Sequence, residues 1–336
     1  MSQPWPPRLW PTCRLHIVTG KGGTGKTTVA AALALALAEG GGRVLLVEVE
    51  GRQGIAQLFD TAPLPYEERS IAIAPGGGEV FALAIDPEQA LLEYLDMFYK
   101  LGRAGKALKR FGAIDFATTV APGMRDVLLT GKACEAVRRT SGDRPGRAFA
   151  YDAVVMDAPP TGRITRFLNV NTEVAGLARV GPVKNQAEAV MRVLTSPRTA
   201  VHLTTVLEEM PVQETLDGIA DLRAAGLPVG AVLVNMVRTA HLAVGKRAAV
   251  STAAEKRVAT LLKPYGVDAA STRALAVLGR EHAERLALEE AERRALDDAG
   301  QPVVELPLLS GGIDLGGLYE LAEVLSAAMA SSGGSA

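Results

Sequence analysis

Short apolar runs recur along the chain at Leu15–Thr19, Val44–Val49, Phe81–Ile85, Ala153–Asp157, Val201–Val206, Val229–Val234 and Val303–Leu306. In most of them apolar residues follow one another without alternation, the pattern of strands buried on both faces of a parallel sheet. Helical stretches separate the runs. The expected fold is α/β, a doubly wound, mostly parallel sheet. Three longer stretches break the rhythm at about 88–139, 172–194 and 240–298, and they predict helical insertions that form a subdomain. The last is dense in Ala, Arg and Glu, as over Glu281–Ala299, and reads as a solvent-facing helix with i to i+4 charge pairs. Arg139–Arg147 reads as an exposed loop, and no internal repeat is visible. One domain is expected over residues 13–330, between a disordered arm (1–12) and a disordered tail (331–336).

Composition narrows the partners. A chain of 336 residues that is 48% hydrophobic can bury a sizeable core. Its 36 Lys+Arg against 37 Asp+Glu, with 4% aromatics, give neither the basic field nor the stacking platforms of a nucleic-acid binder. Cys13 and Cys134 are too few for an oxidised framework, so a reducing compartment fits. Residues 1–12 lack a basic cluster followed by an apolar segment, and the Ala30–Ala38 run is far below the roughly 20 residues that cross a bilayer. A cytoplasmic, soluble chain is expected.

Directly after the first apolar run comes Gly20-Lys21-Gly22-Gly23-Thr24-Gly25-Lys26-Thr27, a full P-loop pattern, followed by a predicted helix from Thr28. Gly20, Gly22, Gly23, Thr24 and Gly25 let backbone N–H groups turn inward on phosphates, with Thr28 at the helix start. Lys26 can set its ammonium between the β- and γ-phosphates, and the Thr27 hydroxyl can ligate Mg²⁺. A second lysine at position 21 is not needed to bind phosphate within one subunit. With it the motif resembles the deviant Walker A of the ArsA, MinD and ParA group, P-loop NTPases of the SIMIBI type. That resemblance implies that Lys21 reaches across a nucleotide-sandwich dimer to the neighbouring γ-phosphate, as an arginine finger does elsewhere.

The segment Asp157-Ala158-Pro159-Pro160-Thr161-Gly162-Arg163-Ile164-Thr165-Arg166-Phe167-Leu168 resembles switch II of the ArsA family, which includes the arsenite-pump ATPases and the ATPases that target tail-anchored proteins. Read from the residues, Asp157 ends an apolar strand where it can hold Mg²⁺ through water, and a stiff Pro-Pro loop with a Gly hinge follows. Ala121-Pro122-Gly123-Met124 and Glu214-Thr215 are similar to further family motifs. The resemblance implies that Asn235 reads adenine and that Pro307 and Leu308 close over the base. It does not extend through 240–298.

Two departures stand out. Where the family's switch I opens on an Asp that positions the attacking water, this chain has Glu50, with Glu48 two residues earlier. At a strand end both carboxylates can point to one face, one orienting water and the other addressing Mg²⁺. Zinc is not expected, because neither cysteine has a partner at ligand spacing and His16, His202, His241 and His282 are scattered. The stretch from Glu88 holds Leu91, Leu92, Tyr94, Leu95, Met97, Phe98 and Leu101, then Lys100, Arg103, Lys106, Lys109 and Arg110 before any acid. Read from the residues it is core with a solvated face, whereas the family resemblance implies a subdomain that grips apolar clients, and both readings stay open.

The expectation is an ATPase that cleaves the β–γ phosphoanhydride of Mg²⁺-bound ATP, with Lys21, Glu48, Glu50 and Asp157 as its catalytic set. It would act as a homodimer, or as a heterodimer with an ArsA-like paralogue, on an apolar membrane-protein client or a membrane partner. Two alternatives stay open: a non-hydrolysing regulatory subunit of a mixed dimer, and the energising subunit of an anion pump.

Overall fold

The computed structural model describes residues 9–99, 123–141, 148–177, 182–238 and 252–331. Eight strands form one sheet: β1 (Leu15–Gly20), β2 (Arg43–Glu48), β3 (Arg69–Ile73), β4 (Glu79–Ala84), β5 (Ala153–Asp157), β6 (Thr199–Thr205), β7 (Val229–Val237) and β8 (Val303–Pro307). Their order is β3-β4-β2-β5-β1-β6-β7-β8, and all neighbours are parallel except β3 and β4. The expected α/β, doubly wound, mostly parallel sheet is what forms. The apolar runs account for seven strands. β3 lacks such a signal because it is a half-exposed antiparallel edge, with Ile73 65% exposed, where no second buried face selects for apolar residues.

The described helices, in chain order, are α1 (Lys26–Ala38), α2 (Gly54–Leu58), α3 (Pro87–Tyr99), α4 (Met124–Arg138), α5 (Thr161–Leu177), α6 (Pro182–Leu194), α7 (Glu209–Ala224), α8 (Thr252–Leu262), α9 (Ala269–Asp297) and α10 (Leu315–Ser331). On one face of the sheet α1 is apolar all round, and every residue from Val29 to Ala38 is buried in a core shared with α10. A helix with no polar face must be sandwiched, which fixes α1 as an interior element. On the other face α4, α5, α6 and α7 cover a second core around Phe167, Met156 and Leu129. None of the helices among the described residues is long and apolar enough to cross a membrane.

The insertion boundaries shift. The stretch expected to begin near 172 begins at Thr161, because Pro159-Pro160 ends the preceding loop and Ile164, Phe167 and Leu168 bury one helical face. α9 is solvent-facing as expected, burying only Thr272, Glu289 and Leu296, and Asp268 caps it by accepting from Ala270 N and Ser271 N. In the arm expected to be disordered, Leu9 and Trp10 pack against the α1-side core. Residues 1–8 and 332–336, and the basic run from Lys100 to Arg110, lie outside the described residues.

Trp10 sits edge-on to two buried histidines, His16 on β1 and His202 on β6. Their rings stack with centroids 5.3 Å apart, and His16 Nδ1 lies 3.1 Å from His202 Nε2. Ala231 N donates to His202 Nδ1, so His202 carries its proton on Nε2 and gives it to His16 Nδ1. Among the described residues, the remaining N–H of His16 has no partner. Burial lowers the pKa of His16 to about 3 and that of His202 well below its usual value, with the neighbouring His16 lowering it further. Both rings are therefore neutral in the folded protein near pH 6.5, whereas the unfolded chain takes up two protons as the pH falls below about 6.5. The stabilisation is complete above that pH and is lost below it, at about 1.4 kcal/mol per pH unit for each ring. Urea denaturation between pH 7.5 and pH 5 should show this loss. His16→Val with His202→Gln, which keeps an acceptor for Ala231, should flatten it by about two protons' worth of slope.

Candidate functional site

The chain leaves β1 for β2 on one side of β5 and later returns to β6 on the other side of β1, so a crevice opens at the carboxyl ends of β1 and β5. The loop after β1 occupies it. Thr24 is buried and its hydroxyl donates to Lys21 O at 2.9 Å, which folds the loop back on itself. Asn235, at the end of β7, donates from Nδ2 to Thr24 O at 3.0 Å. Gly25 has φ +84°, and a Cβ there would stand 2.3 Å from Asn235 Nδ2, so only glycine fits between the two segments. Gly20 lies at the end of β1, and at Gly22 and Gly23 a Cβ would meet nothing within 4 Å. Lys26, Thr27 and Thr28 begin α1 with their side chains half-buried.

Below the loop, Thr27 Oγ1 donates to Asp157 Oδ2 at 2.7 Å across the β1–β5 pair. Burial raises the pKa of Asp157 to about 6; the Thr27 hydrogen bond and Lys26 pull it down, while Glu48 and Glu50 push it up. A buried carboxylate bonded to a hydroxyl offers a hard divalent cation two oxygen ligands. Among the described residues no group of three or more His, Cys, Asp or Glu is arranged to hold a metal alone. Thr27 and Asp157 are the residues that would hold Mg²⁺, whose shell is completed by water and phosphate oxygens.

Glu48 and Glu50 do not share a task. Glu48 is buried at the end of β2, and its two oxygens accept from Gln53 N and from Ile55 N at 3.3 Å. It therefore caps the first turn of α2 and holds the 49–54 loop, a contact that its expected role toward a cation did not include. Gln53 takes a left-handed φ of +57° under that hold. Gly54 lies so close to Thr27 that a Cβ would be 3.2 Å from Thr27 Cγ2, which presses the loop against the P-loop helix. Glu50 is the more exposed carboxylate, 3.7 Å from the largely solvated Arg52.

Lys21 is paired within its own chain, with Nζ 3.4 Å from Glu214 Oε2. The other oxygen of Glu214 accepts from the Thr161 hydroxyl at the start of α5. Thr19, at the end of β1, donates to Pro159 O at 2.7 Å and ties the same loop from the other side. Glu214 carries a resemblance in the sequence, but its link to Lys21 does not, and Thr19 carries no signal at all. Met236, at φ +58°, flanks Gly25 from β7. Pro307 ends β8, and Leu308 bonds to Val237 O at 2.9 Å with its side chain 46% exposed beyond the sheet. Both cysteines are buried and free, and burial pushes each thiol up to about 12. His241 lies outside the described residues.

The model of the anion-transporting ATPase family, ArsA, matches residues 13–196, from the start of β1 to the end of α6. ATPase BagA of Mycobacterium tuberculosis is 53% identical over 326 residues, which cover 96% of this chain and 95% of that protein. A putative arsenical pump-driving ATPase of Chlorobaculum tepidum is 25% identical over 269 residues, 68% of this chain and 62% of its own length. ATPase get3 of Schizosaccharomyces pombe is 27% identical over 184 residues, 52% of this chain and 51% of its own. The mycobacterial likeness is extensive enough to include much of 240–298, where the family motifs give out.

The two backbone contacts of Glu48 generate a test that needs no ligand. Glu48→Gln would turn an amide NH₂ toward one of two backbone N–H donors. Removing that acceptor should destabilise the protein by about 1–3 kcal/mol in urea titration without nucleotide. An unchanged midpoint would mean that Glu48 does not organise this loop.

Proposed function

The chain belongs to the ArsA family of anion-transporting ATPases, and on that premise we propose that it binds ATP in the loop Gly20–Thr27 and hydrolyses its β–γ bond. The observation that carries this reading is the 2.7 Å Thr27–Asp157 contact beside Lys26 at the sheet's switch point. Lys26 places a fixed ammonium against the β- and γ-phosphates, and the backbone N–H groups of Gly22 to Thr28 surround the phosphate oxygens. Thr27 and Asp157 are the residues that would hold Mg²⁺, which when bound would neutralise charge developing between those phosphates. Glu50 orients the attacking water. Asn235, Pro307 and Leu308 flank the base.

We further infer a nucleotide-sandwich dimer, of two copies or with an ArsA-like paralogue, because Lys21 stands a third exposed on the outer rim of the loop, where a second subunit could meet it. The dimer would work in the cytoplasm on an apolar membrane-protein client or membrane partner. An anion-pump role, which the names of the arsenical relatives carry for those proteins, has less support here, since buried thiols pushed up to about 12 make poor metalloid ligands. A non-hydrolysing regulatory subunit has one observation in its favour: the free switch I carboxylate is a glutamate countered by Arg52.

Steady-state turnover and calorimetry separate these readings. Lys26→Ala should lower ATP affinity by about 10-fold to 100-fold, the scale of one charge-assisted contact. Glu50→Gln should keep affinity and cut turnover by about 10². Wild type that binds ATP with no turnover would leave the regulatory reading; wild type that binds none would remove both.

A further inference from the structure

Among the described residues, Glu214 joins Lys21 of the P-loop to the end of the loop after Asp157. Oε2 faces Lys21 Nζ at 3.4 Å, and Oε1 accepts from Thr161 Oγ1. Its placement is fixed by the packing of α7. Thr215, the next residue, is buried and donates to Pro211 O at 2.8 Å. One turn on, Gly218 is so near that a Cβ would lie 3.1 Å from Leu203 Cδ2 and 3.4 Å from Thr161 Cγ2. The small residue brings α7 against the start of α5 and puts the Glu214 carboxylate within reach of both partners. Lys21 and Glu214 are each about a third exposed, at 33% and 32%. A pair in that setting is weak enough to be exchanged for a stronger anion.

Resting on the ATP-dependent dimer proposed above, we propose that Glu214 is a positioning residue that holds Lys21 within its own subunit until a second copy presents a nucleotide triphosphate. A carboxylate carries one charge, whereas a γ-phosphate carries more charge on three oxygens and extends one phosphate further than the terminal group of a diphosphate, so a partner nucleotide that keeps it competes best for the lysine. Losing Lys21 leaves Glu214 with Thr161 alone, and the loop from Pro159 to Thr161 is then restrained on that side by one neutral donor. Lysine transfer and the position of the loop become one event, which ties dimer closure to the state of the nucleotide.

Glu214→Gln isolates the charge, because the amide oxygen can still accept from Thr161. In the nucleotide-free full chain, limited acetylation read by mass spectrometry should modify Lys21 about two- to fivefold faster in Glu214→Gln, with Lys132 and Lys184 unchanged. In sedimentation with a non-hydrolysable ATP analogue, the same variant should dimerise more tightly, by up to about 25-fold for two lysines released together. It should also lose part of its preference for the analogue over ADP, and it should add nothing in a Lys21→Gln background. Unchanged Lys21 reactivity overturns the proposal, as does tighter dimerisation that persists without Lys21. Wild type that dimerises with the analogue and is indifferent to Glu214→Gln overturns the holding role alone. Wild type that stays monomeric with saturating analogue overturns the holding role together with the dimer.

Discussion

The mouth of the sheet depends on one buried carboxylate. Asp157 stands at the end of β5 where, among the described residues, the Thr27 hydroxyl and the Lys26 ammonium offset its burial and the nearby charges of Glu48 and Glu50 work against it. An acid buried in this way is unfavourable unless a cation shares the space. That constraint explains several features together. The helix α1 is apolar enough to be driven into the core, which sets Lys26 and Thr27 at a fixed height beside β5. Loops that meet there are short and tied, since any slack would admit water without supplying charge.

Each tie is a single side chain reaching from a rigid element to a loop. Thr19 holds the loop after Asp157 at Pro159, Glu214 holds its far end at Thr161, Glu48 holds residues 53 and 55, and Asn235 holds the P-loop at Thr24. Strands and helices fix four anchors, while the segments between them have few other polar contacts to lose. Ties of one or two hydrogen bonds are the kind of contact that a nucleotide-sensitive switch would exchange.

The strands were legible because a sheet buried on both faces leaves near-continuous apolar runs, and the P-loop and Asp157 were legible because glycine spacing and a strand-end acid have few other uses. What stayed hidden depended on packing between distant segments. β3 is a half-exposed edge whose residues are under no double burial. Glu48 and Glu50 look interchangeable in the sequence, and only the turn at Gln53 decides which of them spends its oxygens on backbone. His16 and His202 are separated by most of the sheet's connections, yet β1 and β6 are neighbours and bring the rings together. Trp10 lies in an arm whose composition suggests disorder, and it is held by those same rings.

The division of labour between Glu48 and Glu50 bears on whether a glutamate can serve where the family has an aspartate. With both oxygens of Glu48 bonded to Gln53 and Ile55, Glu50, paired with the exposed Arg52, has less to lose on a turn toward the crevice. Its contact with Arg52 is long and mostly solvated, so it resists that turn by little. The extra methylene of Glu50 moves its carboxylate by about an ångström, a displacement that catalytic geometry tolerates only if the backbone moves to compensate. This loop is well placed to do so. It is pinned at residues 53 and 55 by Glu48 and pressed at Gly54 against Thr27, while Gly51, at φ +69°, leaves a pivot beside Glu50 that needs no side-chain room. The buried acid that holds this loop thus also sets where Glu50 can stand.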